Sequence, residues 1–263
     1  MQFQPLLDQV PLWIFYLITA IIVFLSTLSG FRLGSYVRRH NKSASDAPIG
    51  TIAGAMLGLL AFILAFSYGM AASRYDARKT LLLDEVNGIA TAFLRADFLP
   101  DPQRAETRKL LKKYVDLRSE YGRHPERLPR LLVDSEALHD QLWAQVTSLP
   151  SKNGQPVLVG LYIQALNEVI DLHSKRLTVG LIYRISPGIW LTLFLVSVLT
   201  MLAVGYHFGI TGAGSFWITL VLTLSFSAII LLIADLDRPR GGLINVSQEP
   251  MVELQQKLRS SAE

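Results

Sequence analysis

The chain contains no cysteine. Disulfide bridges, thiolate nucleophiles and cysteine-ligated metal centres are therefore excluded, and cysteine usage gives no sign of the redox compartment. Charge is sparse as well: 17% of the 263 residues are Asp, Glu, Lys or Arg, against about 25% in an ordinary soluble domain. Enzyme signatures are missing. There is no P-loop, no GxSxG, no HExxH and no glycine-rich dinucleotide turn after a strand. No enzymatic activity and no cofactor are expected. The 25 basic residues exceed the 21 acidic ones by four. They are scattered or gathered beside apolar runs rather than massed in one patch, so no nucleic-acid partner is expected.

Apolar residues are abundant, at 51%, and the mean hydropathy is +0.34. They cluster in four runs, Pro11–Tyr36, Ile49–Ala72, Pro187–Phe208 and Ser215–Ala234. Each is long enough for a helix that crosses about 30 Å of hydrocarbon, which takes roughly 20 residues. Trp13, Trp190 and Trp217 fall near run ends, where interfacial aromatic belts lie. Ser186-Pro187 reads as an N-cap followed by proline at the first helical position. Met1–Val10 carries one charge, Asp8, and the first apolar run outlasts a signal-peptide core. It is read as a retained membrane helix.

The stretch between the second and third runs has a soluble helical composition. Breakers divide it: Pro100 and Pro102, then Pro125 and Pro129 around the basic stretch Arg123–Arg130, then Pro150–Pro156. Helices are expected near Ser73–Leu99, Gln103–Tyr121, Ser135–Leu149 and Val157–Arg184, the first and last continuing the second and third spans. The spacing of Leu110, Tyr114, Leu117 and Tyr121, and of Val159, Tyr162, Ile163, Leu166 and Ile170, is helical. No strand pattern or internal repeat occurs. The expected fold is an all-α polytopic membrane protein with four transmembrane helices and a helical soluble domain inserted between helices 2 and 3. Its parts are a hairpin over 11–72, the soluble domain over 73–185, a second hairpin over 186–236 and a tail over 237–263. With an even number of spans the domain and both tails share a side. Basic residues in the tail and domain flanks favour the cytoplasm, whereas Arg38, Arg39 and Lys42 after the first span argue the reverse.

Several local patterns invite a functional reading, each beside a structural one. Gly50, Gly54, Gly58, Ala61 and Ala65, continued by Gly69 and Ala72, form a small-residue stripe on the second span. Such stripes let helices pack closely in lipid, either around an oligomer axis or a moving neighbour, or against Ser26, Gly30 and Gly34 of the first span. Phe62, Phe66 and Met70 recur every fourth residue, the spacing of a hydrophobic constriction or of a face turned to lipid or core. In the next helix Val86, Ile89, Ala90, Phe93 and Leu94 are expected to share the apolar face. Arg74 and Arg78 lie one turn apart at the membrane edge and suit anions, lipid headgroups or solvent. Asn167, Glu168, Asp171, His173, Lys175 and Arg176 read as a solvated face. His173 stands alone, so no metal site is expected. Asp235 and Asp237 oppose the dipole of the fourth helix. They call for partners among Arg74, Arg78 and Arg184, in a structural salt-bridge knot or an ion vestibule that includes Arg238. Pro239, Gly241 and Gly242 then end the helix in a turn.

Three blocks carry a resemblance: GAMLGLLAFILAFSYGMAASRYDARKTLLLDEVNGIATAFLRADFLP (Gly54–Pro100), LNEVIDLHSKR (Leu166–Arg176) and DLDRPRGG (Asp235–Gly242). Together they resemble the bacterial bestrophin-like membrane proteins, a family described as a domain of unknown function, over roughly Gly50 to Val252. The resemblance implies kinship with pentameric anion channels that have four spans and a cytoplasmic helical region between the second and third. It implies a multi-pass protein of the bacterial inner membrane, with the lipid bilayer, further copies of the chain and anions of the chloride type as partners. In such channels the second span lines the pore and bulky apolar residues four apart form its neck, a place Phe62, Phe66 and Met70 can fill. The sequence shows no acidic calcium clasp, so calcium gating is not implied. The alternative is a non-conducting membrane scaffold or sensor whose helical domain binds a protein partner. A secondary transporter fits less well, because no repeat symmetry is visible.

Overall fold

The computed structural model describes residues 10–40, 47–121, 127–149, 156–239 and 241–260. The expected loop Pro150–Pro156 lies, up to Gln155, outside the described residues. So do Arg123–Glu126, Lys42 and Arg240. Every regular element among the described residues is helical. In chain order these are α1 (Leu12–His40), α2 (Ala47–Arg95), a 3₁₀ turn (Ala96–Phe98), α3 (Gln103–Glu120), α4 (Leu128–Thr147), α5 (Pro156–Leu177), a π turn (Thr178–Ile182), α6 (Pro187–Thr211), α7 (Phe216–Asp237) and α8 (Glu249–Ser260). Four stretches, on α1, α2, α6 and α7, are long and apolar enough to cross a membrane. The chain is an all-α polytopic membrane protein.

The described residues fall into two compact units. The first runs to Tyr75 and resumes over Arg184–Asn245; the second comprises Asp76–Tyr183 and the segment from Val246. In the first, α1 and α6 approach backbone to backbone. A Cβ on Gly30 would land on the Leu202 carbonyl, one on Gly34 on the Tyr206 carbonyl, one on Gly205 on the Thr27 carbonyl and one on Gly209 on the Phe31 carbonyl. Two glycine pairs four residues apart, one on each helix, thus interlock, the close packing that lipid-embedded helices depend on. Gly30 and Gly34 therefore face α6, not the stripe of the second span. Buried hydroxyls are satisfied within their own helices: Thr19 donates to Phe15 O, Thr27 to Val23 O and Ser197 to Leu193 O. That is the arrangement required where no water can serve. Phe15 meets Trp190 edge to face at 6.1 Å, and Leu193, Met201, Ile230 and Ile233 fill the core with Leu60, Leu64 and Ala71 of α2.

The second unit closes on Leu82, Ile89, Phe93, Leu111, Leu138, Leu142, Tyr162 and Leu166, with Met251, Leu254 and Leu258 of α8. Three details depart from the sequence pattern. Helix α4 starts at Leu128, with Pro129 inside its first turn rather than in a loop; proline is tolerated there because its missing N–H has no helical acceptor. The expected helix Val157–Arg184 stops early, winding into the π turn and then running extended over residues 183–186, since Pro187 pushes Ser186 out of the helical region (ψ 140°). Ser186 holds the cap position without a side-chain capping bond. Finally, Ile89 and Phe93 are buried with Val86 and Ala90 packed beside them, as expected, but Leu94 is exposed and the face extends instead through Leu82, Ala92 and Ala96.

Candidate functional site

Helix α2 has 49 residues, Ala47–Arg95. Its membrane part has two contrasting faces. Ala53, Leu60, Leu64, Ser67 and Ala71 are buried, and Thr200 of α6 donates to Met56 O at 3.4 Å. On other faces Gly54, Gly58, Ala61, Ala65 and Gly69 are exposed, and a Cβ added at Gly54, Gly58 or Gly69 would meet nothing within 4 Å. Among the described residues a Cβ added at Gly50 would meet the His207 ring at 3.1 Å, and Ala72 at the far end of the stripe packs on the core. Phe62 and Phe66 are 69% and 62% exposed, while Met70 is half-buried. The middle of the stripe, Gly54 to Gly69, is thus left open among the described residues.

At the end of α7 the two carboxylates do different work. Asp235 accepts from the amides of Leu243 (2.8 Å) and Ile244 (3.0 Å), holding the returning chain, and a Cβ on Gly242 would strike its carboxylate. Asp237 accepts from Ile185 N (2.9 Å) and from Arg184 Nε (3.2 Å), with Arg74 Nη1 at 3.8 Å. Arg238 donates to Val10 O at 2.8 Å. Arg74, Asp237 and Arg184 are therefore brought together, Asp235 and Arg238 bind backbone nearby, and Arg78 belongs to the second unit. Carboxylates unfavourable at a helix C-terminus are offset here by guanidinium and amide donors.

A second polar cluster fills the interior of the second unit. Glu85 of α2 is fully buried and takes Arg118 on both oxygens, Nε at 2.7 Å and Nη2 at 2.9 Å, together with Arg176 Nη1. Tyr114 donates its phenol proton to Glu85 Oε1 at 3.1 Å, and its oxygen lies 3.3 Å from His173 Nδ1. Arg176 also reaches Gln248 at 3.4 Å. His139 packs on the Tyr114 ring (5.0 Å) and meets His173 edge-on at 4.8 Å. Burial opposes ionisation of Glu85, yet the two guanidiniums outweigh it and bring its carboxyl down to about 2. Burial, with Arg118 beside them, lowers His139 to about 4 and His173 to about 3, so both are neutral at pH 7. Among the described residues no group of three or more His, Asp or Glu is placed to hold a metal.

This cluster corrects the solvated-face reading of α5. Asn167, Glu168, Asp171 and Lys175 are exposed, but His173 is buried and Arg176 partly so. Nor is His173 alone, since His139 comes to it from another helix. A signal was present in the sequence: Glu85 sits between Leu82 and Ile89, and Arg118 lies one turn after Tyr114, each a charge on an apolar face. Two such misfits on different helices can satisfy each other.

Comparison with known proteins follows the same lines. The family model described as the Bestrophin-like domain matches residues 17–251. Among solved structures, two mutant forms of a bacterial bestrophin homologue from Klebsiella pneumoniae superpose with TM-scores of 0.64 and 0.67, each at 13% identity, covering 93% and 94% of this chain and 99% and 98% of theirs. A further structure of that homologue, phased on zinc, gives 0.61 at 12% identity over 93% of this chain and 97% of its own. At these identities the likeness shows the fold. No curated protein matches the chain.

Proposed function

Because the chain belongs to the bestrophin-like family, we propose that its copies assemble around an axis with the open face of α2 toward the centre, where Phe62 and Phe66 narrow a pathway for anions. The supporting observation is the unpartnered stripe of Gly54, Gly58, Ala61, Ala65 and Gly69. A helix side turned to lipid gains nothing from small residues, whereas one turned to another helix does, since association in lipid rests on close packing. On this reading the protein resides in the bacterial inner membrane, with the soluble unit in the cytoplasm. The salt-bridge knot around Asp237 then fixes the end of α7 and is not a binding site. Exposed Leu83, Leu94, Phe98 and Val157 on the soluble unit contact the adjoining copy.

Mass measurement and flux test this together. The detergent-solubilised protein should have the mass of a closed ring, as symmetric assembly requires, and liposomes containing it should take up chloride faster than empty ones. A monomeric mass would remove the axis. A ring that passes no chloride at any tested voltage or pH would leave a scaffold, with the exposed apolar residues of the soluble unit binding another protein.

A further inference from the structure

The first half of α3 breaks two rules of helix charge placement. Arg104, Arg108 and Lys112 follow one another at four-residue steps, so like charges share one face, an arrangement that costs helix stability. They also crowd toward the N-terminal end, where the helix dipole favours anions. Together with Lys109, and opposite Asp97 and Asp101, they line an open cleft of about 570 Å³, within the roughly 300–1,000 Å³ of small-molecule sites. The protein compensates only part of this charge. Asp101 takes Arg104 and Asp97 takes Arg108, each guanidinium being engaged through one Nη. Lys109 pairs at 3.4 Å with Glu106, which is not part of the lining. Lys112 has no ion pair among the described residues. Its ammonium lies 5.7 Å from the centroid of the Phe93 ring, the same ring that the Arg108 guanidinium covers at 4.1 Å. The buried phenyl attracts both cations through its face and neutralises neither.

We infer that this cleft binds a small phosphorylated solute through a phosphomonoester group. Four cations against two carboxylates leave the lining a surplus of two positive charges. A phosphate ester brings about −1.5 to −2 at pH 7 and three strong acceptor oxygens. Arg104, Arg108 and Lys112, at one-turn intervals, offer those oxygens a donor each. An arginine has five N–H donors, so Arg104 and Arg108 keep donors free beyond those given to Asp101 and Asp97. Guanidinium forks suit phosphate geometry, and lysine adds a point charge. A lipid phosphodiester carries a single negative charge and matches the surplus less well. The two broken rules then have a reason, because a sequence departs from local consistency chiefly at functional sites. The cleft lies wholly within the second unit and is independent of any conduction through the membrane.

The test titrates glycerol 3-phosphate into the full-length protein in detergent by calorimetry. A sodium chloride buffer of physiological ionic strength screens attraction beyond about 8 Å and keeps any chloride pathway occupied. Wild type should bind one equivalent per chain saturably. Lys112→Gln and Arg108→Gln should each weaken binding at least ten-fold. Lys113→Gln removes the same charge from an exposed neighbour outside the cleft and should leave binding unchanged. The diester glycerophosphoglycerol, a lipid headgroup, should bind several-fold more weakly than the monoester. No saturable binding, or equal losses from Lys112→Gln and Lys113→Gln, would overturn the site, and equal binding of the diester would overturn the monoester assignment. A reading on the wild type is independent of variant folding. Glycerol 3-phosphate should shield Lys112, and not Lys113, from acetylation by acetic anhydride, as mass spectrometry would show; unchanged labelling of Lys112 would refute the assignment.

Discussion

Glu85 shows how much one residue can hold. It is a carboxylate with no exposure, ionised because two guanidiniums surround it. Replacing it with alanine strands Arg118 and Arg176 in the interior. Removing one partner of a buried ion pair costs about 3–5 kcal/mol. Glu85→Ala should therefore lower the thermal midpoint of the protein by well over the change given by Glu168→Ala on an exposed position of α5, as differential scanning fluorimetry would report; equal shifts would deny the cluster its role. The histidines set a pH dependence of definite sign. An unfolded histidine protonates near pH 6.5, whereas His139 and His173 stay neutral to about 4 and about 3. Between those values the unfolded chain binds more protons, so stability falls as pH drops below 6.5, by about 1.4 kcal/mol per unit for each ring. Glu85 acts in the same direction, its contribution complete above 4.5 and lost toward about 2. Melting between pH 7 and 5 should show this decline, and His139→Gln should roughly halve its slope.

Among elements, the contrast between glycines is informative. Gly30 lies against the carbonyl of Leu202, while Gly58 has nothing within 4 Å. Gly30→Ala should destabilise the chain by about 1–3 kcal/mol through overpacking. Gly58→Ala should leave the subunit's melting unchanged and instead weaken assembly, seen as a shift toward smaller species in mass measurements. A normal ring from Gly58→Ala would count against the stripe as an interface. Gly30 and Gly34 of α1 stood out in the sequence as packing residues, but their partners Gly205 and Gly209 of α6 did not: small-residue spacing names a helix face and leaves its partner open. The four spans were legible because length and hydropathy are one-dimensional properties. The break before α6 was legible only as Ser186-Pro187, since a π turn leaves no periodic trace. The Glu85 cluster escaped because charges on an amphipathic helix are assigned to water by default, and which of them turn inward depends on a helix distant in sequence.

For the molecule as a whole, the family and the four-span helical fold agree with the sequence reading. If Phe62 and Phe66 ring a pathway, the double substitution Phe62→Ala, Phe66→Ala widens it without disturbing the subunit core, because both side chains are largely exposed within one chain. Chloride uptake by reconstituted vesicles should change several-fold in rate while melting stays near wild type. Identical uptake would place both rings against lipid.

The grip of Asp235 on Leu243 and Ile244 has a bearing on where this membrane unit ends. Hydropathy alone would cut the polypeptide at the last greasy residue of α7. A boundary drawn there would strip a buried carboxylate of its two amide donors, so the membrane unit takes in the returning segment through Ile244.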